Sequence, residues 1–211
     1  DNLCLLLDDL KPSVIINCIA ERRPDIVDKN LEYSYSINTQ FPINLTEYCK
    51  SNNVKLIHIS SDYVFDGSNS PYEIESCTEP MNLYGKQKLL AEQAVKTYYN
   101  SVILRIPVIF SKYQSSLNES SLTQNVKKIM DLSINHTYDN CSKRFPVSTV
   151  AVSEILKNIC VNDLRGIYQF DGDICYTKYE IGKITQEYLN LNNSKLISNN
   201  NRDTSRPYCT R

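Results

Sequence analysis

Apolar residues fall in short continuous runs rather than in alternation. VIINC (14–18), VKLIHIS (54–60) and SVILRIPVIF (101–110) are almost unbroken. Runs of this length, rich in β-branched residues, predict strands covered on both faces. Between them the spacing turns helical. Residues 2–10 read as the end of a helix punctuated by Pro12, residues 26–51 as a helix that Pro42 breaks or kinks, and residues 82–99 as a third. Strand, helix, strand, helix, strand with buried strands predicts a parallel sheet with helices on both faces.

Beyond about residue 112 the pattern changes. Residues 113–125 are rich in Ser, Asn and Gln. Short helices are expected at 119–132, 149–161 and 177–190, with brief strands near 145–148 and 167–170. The tail SNNNRDTSRPYCTR is polar and predicted to be loose. The fold class that follows is α/β: a Rossmann-like doubly wound parallel sheet, incomplete at its N-terminus, with a smaller mixed α/β C-terminal lobe. We place a Rossmann-like domain at 1–112 and a smaller lobe at 113–211.

The chemistry gathers where such a sheet binds ligands, outside the carboxyl ends of its strands. Residues Cys18 to Arg23, Ser60 to Gly67 and Arg105 to Ile109 all arrive there. The segment 61–80 is a long loop with Gly, Ser, Asn and Pro clusters, and loops of that length in a compact domain usually serve function. In MNLYGKQKLLAE (81–92) Tyr84 and Lys88 lie four apart, on one helical face. Two readings stand: a solvated surface pair, or an acid–base pair. In the second, Lys88 lowers the phenol's pKa from its ordinary ~10. Ser61 would bind a carbonyl oxygen while Tyr84 exchanges its proton.

Charge and cysteine usage narrow the compartment and partners. The formal net charge is −1, so no electrostatic footprint marks a nucleic acid or membrane partner. No apolar run approaches the ~20 residues that span a bilayer. The start DNLCLLLDDLKP lacks a basic region and a cleavage site, so it does not read as a signal peptide. A helix is already under way there without an initiator Met, and we expect the chain to begin inside a domain. Eight cysteines are scattered without a C-x-x-C pair, which points to free thiols and a cytoplasmic protein. The two histidines, His58 and His136, are far apart, so no metal site is expected.

Taken together, HISSDYVFDG (58–67), NLYGKQKLLAE (82–92) and LRIPVIF (104–110) resemble the extended short-chain dehydrogenase/reductase superfamily. The resemblance is strongest to its dTDP-4-dehydrorhamnose reductase branch. It implies a catalytic trio of Ser61, Tyr84 and Lys88, with Asn38 as a structural and proton-relay residue. CIAERRPDIVDKN (18–30) and KRFPVSTVAVSEI (143–155) are similar instead to the regulatory beta subunits of methionine adenosyltransferase, non-catalytic relatives that keep the reductase fold. That resemblance implies NADP as cofactor, with Cys18, Arg22, Tyr84, Lys88 and Ile109 lining it. It also implies the methionine adenosyltransferase catalytic subunit as partner, in S-adenosylmethionine biosynthesis. The family's glycine-rich turn finds no counterpart among the five glycines, and its C-terminal docking segment is expected beyond Arg211. Two alternatives remain open: an NADPH-dependent reductase of a nucleotide-linked keto sugar, or a degenerate fragment with neither role.

Overall fold

A computed structural model describes residues 2–111, 127–131, 135–191 and 196–210. The chain opens with helix α1 (Asn2–Leu10) and strand β1 (Val14–Asn17). The predicted helix at 26–51 is a chain of pieces: α2 (Pro24–Lys29), α3 (Leu31–Tyr35), a π-helical turn (Ser36–Gln40) and α4 (Phe41–Asn52). Pro42 does not break the run, because it sits in the first turn of α4, where its missing N–H is an orphan anyway. The π turn before it widens the backbone, the kind of local insertion that recurs at functional sites. Asn53, left-handed at φ 53°, ends α4 and feeds β2 (Lys55–Ser61).

A single turn of 3-10 helix (Asp62–Val64) and the long loop lead to α5 (Leu83–Val95) and then β3 (Ser101–Ile106). The predicted strand 101–110 is two strands, because Pro107 cannot donate to the ladder. The second piece, β4 (Ile109–Phe110), leaves the main sheet and pairs in parallel with β6 (Val147–Ser148). The helix Thr149–Val161 follows, then β7 (Gly166–Gln169) and the helix Lys178–Tyr188. β5 (His136–Asp139) and β8 (Leu196–Asn199) form a third, parallel pair that the sequence did not announce. Of the helix expected at 119–132, only 127–131 is described, and 127–130 is helical; residues 112–126 and 132–134 lie outside the described residues.

The main sheet has the order β1-β2-β3-β7, all parallel. Its fourth strand therefore comes from beyond residue 112. Alternate residues of the central strands feed two cores. Leu56 and Ile103 pack with Leu7, Leu45, Cys49, Val95 and Tyr98 under α1, α4 and α5. Ile57, Val102 and Leu104 pack with Val152 and Ile159 of the helix Thr149–Val161. Helices thus cover both faces, which is why these strands read as unbroken apolar runs. Burying each such side chain contributes ~1.5–3 kcal/mol.

The tail is not loose. Tyr208 O accepts from Lys143 N at 2.7 Å, Cys209 N donates to Gly67 O at 3.2 Å, and Thr210 hydrogen-bonds the Asp62 carboxylate. Gly67, at φ 78°, admits this approach: a Cβ there would lie 2.5 Å from Tyr208 N. Residues 200–205 are exposed, and it is the end of the tail, Pro207 to Thr210, that docks on the SDYVFDG loop.

Among the described residues no helix is long and apolar enough to cross a membrane, and no group of three His, Cys, Asp or Glu could hold a metal ion. All eight cysteines are free thiols. Titration under denaturing, non-reducing conditions is expected to find all eight; a loss of four or more would mean two disulfides and a different compartment.

Candidate functional site

Three segments meet at the carboxyl ends of the parallel strands: the turn after Asn17, Ser61 with the 3-10 turn after it, and the stretch after Ile106. Register places Ser61 opposite Ile106. Helix α5 runs up beside them. Asn82 caps it, its side chain accepting from Gly85 N at 2.9 Å. Gly85 allows the helix to touch the 3-10 turn, since a Cβ there would fall 2.2 Å from Tyr63 O. Gly85→Ala is expected to force this contact apart at a cost of about 1–3 kcal/mol, read as a lowered melting temperature. An unchanged melting temperature would mean the helix shifts freely, and the site is not rigidly placed.

Tyr84, half-buried, packs edge-on against Tyr63 with ring centroids 5.9 Å apart. Its phenol is pushed well above the ordinary tyrosine value. Desolvation is the main cause, and the Asp62 and Tyr63 charges add to it; Ser61 and Arg22 oppose. Lys88 is not among the main influences on the phenol. Ser61 faces the phenol, yet its Oγ donates to Asp62 Oδ1 at 3.0 Å and accepts from Tyr63 N at 3.2 Å. Asp62 is itself buried. Burial raises its carboxyl pKa, while Thr210, Arg144, Ser61 and the Tyr63 amide hold it down.

Lys88 lies on the same face of α5 as Tyr84 but reaches inward, 1% exposed. Its Nζ donates to Ile59 O at 2.8 Å and meets His58 Nε2 at 3.2 Å. Among the described residues no carboxylate pairs with it. Burial pulls its pKa down to about 8, while Glu92 and Cys18 act to raise it. Cys18 is exposed on the turn after β1; partial desolvation lifts its thiol and Lys88 opposes. Arg22 stands on the same loop and acts on Tyr84. The structure therefore gathers Ser61, Tyr84, Lys88, Cys18 and Arg22 at one end of the sheet. Ile109, in β4, follows the end of β3 and packs against the core under the helix Thr149–Val161.

Asn38, fully buried in the π turn, clamps the Cys18–Arg23 loop. Its Oδ1 accepts from Glu21 N at 2.8 Å and its Nδ2 donates to Glu21 O at 3.0 Å. The same Nδ2 reaches Gln87 Oε1 at 2.9 Å. Glu21 then holds Arg23 in a two-pronged salt bridge at 2.8–2.9 Å. No bond joins the Asn38 side chain to Lys88 among the described residues, so its visible role is to shape the loop.

Sequence reasoning passed over His58, Asn17 and Arg144. A histidine between the apolar residues of a buried strand was a signal in itself, since such a residue must find polar partners. Arg144, buried beside Asp62, has an Nη2 without a hydrogen-bond partner among the described residues.

Comparison with known proteins agrees with this geometry. The family model described as RmlD substrate binding domain matches residues 1–208. Methionine adenosyltransferase 2 subunit beta of Xenopus laevis is 38% identical over 197 residues, covering 90% of this chain and 59% of that protein. Its Danio rerio counterpart is 33% identical over 198 residues, covering 91% and 60%. The chain thus spans about three-fifths of the length of the curated relatives it matches. A crystal structure of dTDP-4-dehydrorhamnose reductase from Bacillus anthracis in complex with NADP superposes with a TM-score of 0.82 at 21% identity, over 93% of this chain and 69% of that one. This likeness establishes the Rossmann-like fold.

Proposed function

The chain belongs to the RmlD substrate binding domain family, and from that membership we propose that it acts as a non-catalytic, NADP-binding regulatory subunit of methionine adenosyltransferase. The beta subunits it resembles along nine-tenths of its length support the partner. What favours regulation over turnover is geometric: the Lys88 amine is turned to His58 and Ile59 O, and Ser61 Oγ is engaged by Asp62 and the Tyr63 amide.

The donors at this end of the sheet suit the nicotinamide and ribose end of NADP. An ammonium has three donors; in that charge state Lys88 places one on Ile59 O and a second on His58 Nε2 once that nitrogen is free of its proton. The third is left for a ribose hydroxyl, with Tyr84 and Ser61 beside it. The five glycines supply no glycine-rich turn for the diphosphate, so these residues fit one half of the cofactor only.

The test is kinetic. Adding the protein to a methionine adenosyltransferase catalytic subunit should change the KM or kcat of S-adenosylmethionine formation. Unchanged kinetics at saturating ratio would count against the proposal. One feature favours a second reading, reduction of a nucleotide-linked keto sugar: a protonated tyrosine beside Ser61 suits a proton donor. NADPH consumption with dTDP-4-dehydrorhamnose would support that reading; none is expected.

A further inference from the structure

We propose that Asn17, His58 and Lys88 form one proton-coupled unit, in which the charge of the lysine decides which ring nitrogen of His58 holds the proton, and the Asn17 amide passes that choice to the backbone after β1. The argument is a count of donors and acceptors. Asn17 Oδ1 accepts from Ile19 N at 3.1 Å, which fixes the amide orientation. Its NH2 group therefore faces His58 Nδ1, at 3.1 Å. Nδ1 must then accept, and a neutral imidazole with an accepting Nδ1 carries its proton on Nε2. Nε2 points at Lys88 Nζ, 3.2 Å away. An N–H facing an ammonium pairs two donors. The arrangement is fully satisfied only when Lys88 is an amine, taking the Nε2–H on its lone pair and donating to Ile59 O.

Protonating Lys88 reverses the chain. One proton enters from solvent onto Nζ. The ammonium then needs an acceptor at Nε2, so the ring proton moves to Nδ1, and His58 remains neutral with the same proton count. Nδ1–H now faces the NH2 of Asn17. The amide must turn to present its oxygen, and in doing so it releases the Ile19 N–H. The loop carrying Cys18 and Ile19 loses one anchor each time Lys88 gains a charge. A ligand that requires the ammonium would thus loosen the turn beside which it binds.

The surroundings permit this coupling. Asn17, His58 and Lys88 are 3%, 0% and 1% exposed, so no bulk water relieves a mismatched pair. From α5, Tyr84 lies one turn before Lys88 and Glu92 one turn after; Glu92 is occupied by Arg105 at 2.8 Å. From the turn after β1 comes Cys18, and around Tyr84 stand Asp62 and Arg22. From β3, the residue in register with His58 is the apolar Ile103. Burial and the neighbouring Lys88 keep His58 from becoming an imidazolium. The lysine is then the group of the three that changes charge, and the imidazole only relays.

Nuclear magnetic resonance of the cofactor-free protein, labelled with 15N in histidine and 13C in lysine, tests this directly. The chain has two histidines, so His136→Gln assigns the ring signals. From about pH 6 to about pH 10, the protonated position of His58 should pass from Nδ1 to Nε2. Its midpoint should match that of the Lys88 13Cε signal, and the Ile19 amide resonance should follow both. In Lys88→Met the ring should stay Nε2-protonated throughout. A single His58 tautomer over the whole range in the wild type would overturn the proposal, as would an unchanged swap in Lys88→Met. No NADP is present, so neither outcome depends on whether the protein binds it.

Discussion

Replacing Arg105 by alanine is expected to cost about 3–5 kcal/mol of folding stability, the toll of leaving a buried charge without its partner. Arg105 is 5% exposed and Glu92 3%. The guanidinium holds Glu92 through Nε at 3.1 Å and Nη2 at 2.8 Å. Its Nη1 reaches Ile74 O at 3.2 Å and Gln169 Oε1 at 3.1 Å, and its Cζ lies 5.1 Å from the Phe65 ring centre. One side chain thus ties β3, α5, β7 and the long loop together. Alanine strands the Glu92 carboxylate and frees Ile74 and Gln169 together. Urea unfolding followed by circular dichroism measures the loss. The double variant Arg105→Met/Glu92→Leu should recover much of it, because neither charge is then buried alone. If the single variant loses under ~1 kcal/mol, the range of an exposed pair, the bridge is not a structural tie.

Lys88 is expected to trade stability against ligand binding. Its folded-state pKa, about 8, lies below the ordinary 10.5. The unfolded chain therefore binds the proton more readily between those values, so stability attributable to this group rises with pH across the window. Below about pH 8 both states are protonated and the penalty is fully present. Lys88→Met removes it. The variant also strands Ile59 O and His58, so the test is the slope: wild type should gain on the order of 2–4 kcal/mol relative to the variant as pH rises through 8 towards 10.5. Binding moves the other way. If the third donor of the ammonium holds a ribose hydroxyl, Lys88→Ala removes a charge-assisted hydrogen bond worth ~1.5–3 kcal/mol, a ten- to hundredfold loss in NADP affinity by calorimetric titration. Tyr84→Phe should weaken binding less. Equal affinity in Lys88→Ala and wild type would make the lysine a structural residue only.

The sheet was legible because its strands are buried on both faces. Leu56 and Ile57 point to opposite cores, so apolar residues stand side by side in the run rather than in alternation. The break at Pro107 was legible in principle, since a proline inside a strand announces an edge or an exit. β5 and β8 were not: HTYD and LISN have no period of their own, and pair only because the chain brings residues sixty apart side by side. The site divides in the same way. The four-residue spacing of Tyr84 and Lys88 fixed a shared helical face, as local geometry can. Where the amine went was set by His58, thirty residues away on another element, and where the phenol titrates was set by burial and Asp62. The tail followed suit, because a polar sequence reads as loose until a carbonyl such as Gly67 O waits for it.

Association with the catalytic subunit is the claim on which the functional account turns. Size-exclusion chromatography with light scattering, run on the full-length protein mixed with methionine adenosyltransferase catalytic subunit at micromolar concentration and with NADP present, measures it. The account predicts one earlier peak containing both chains, with a mass equal to a whole-number complex. Two unshifted peaks, each at the mass of its own component, would contradict it.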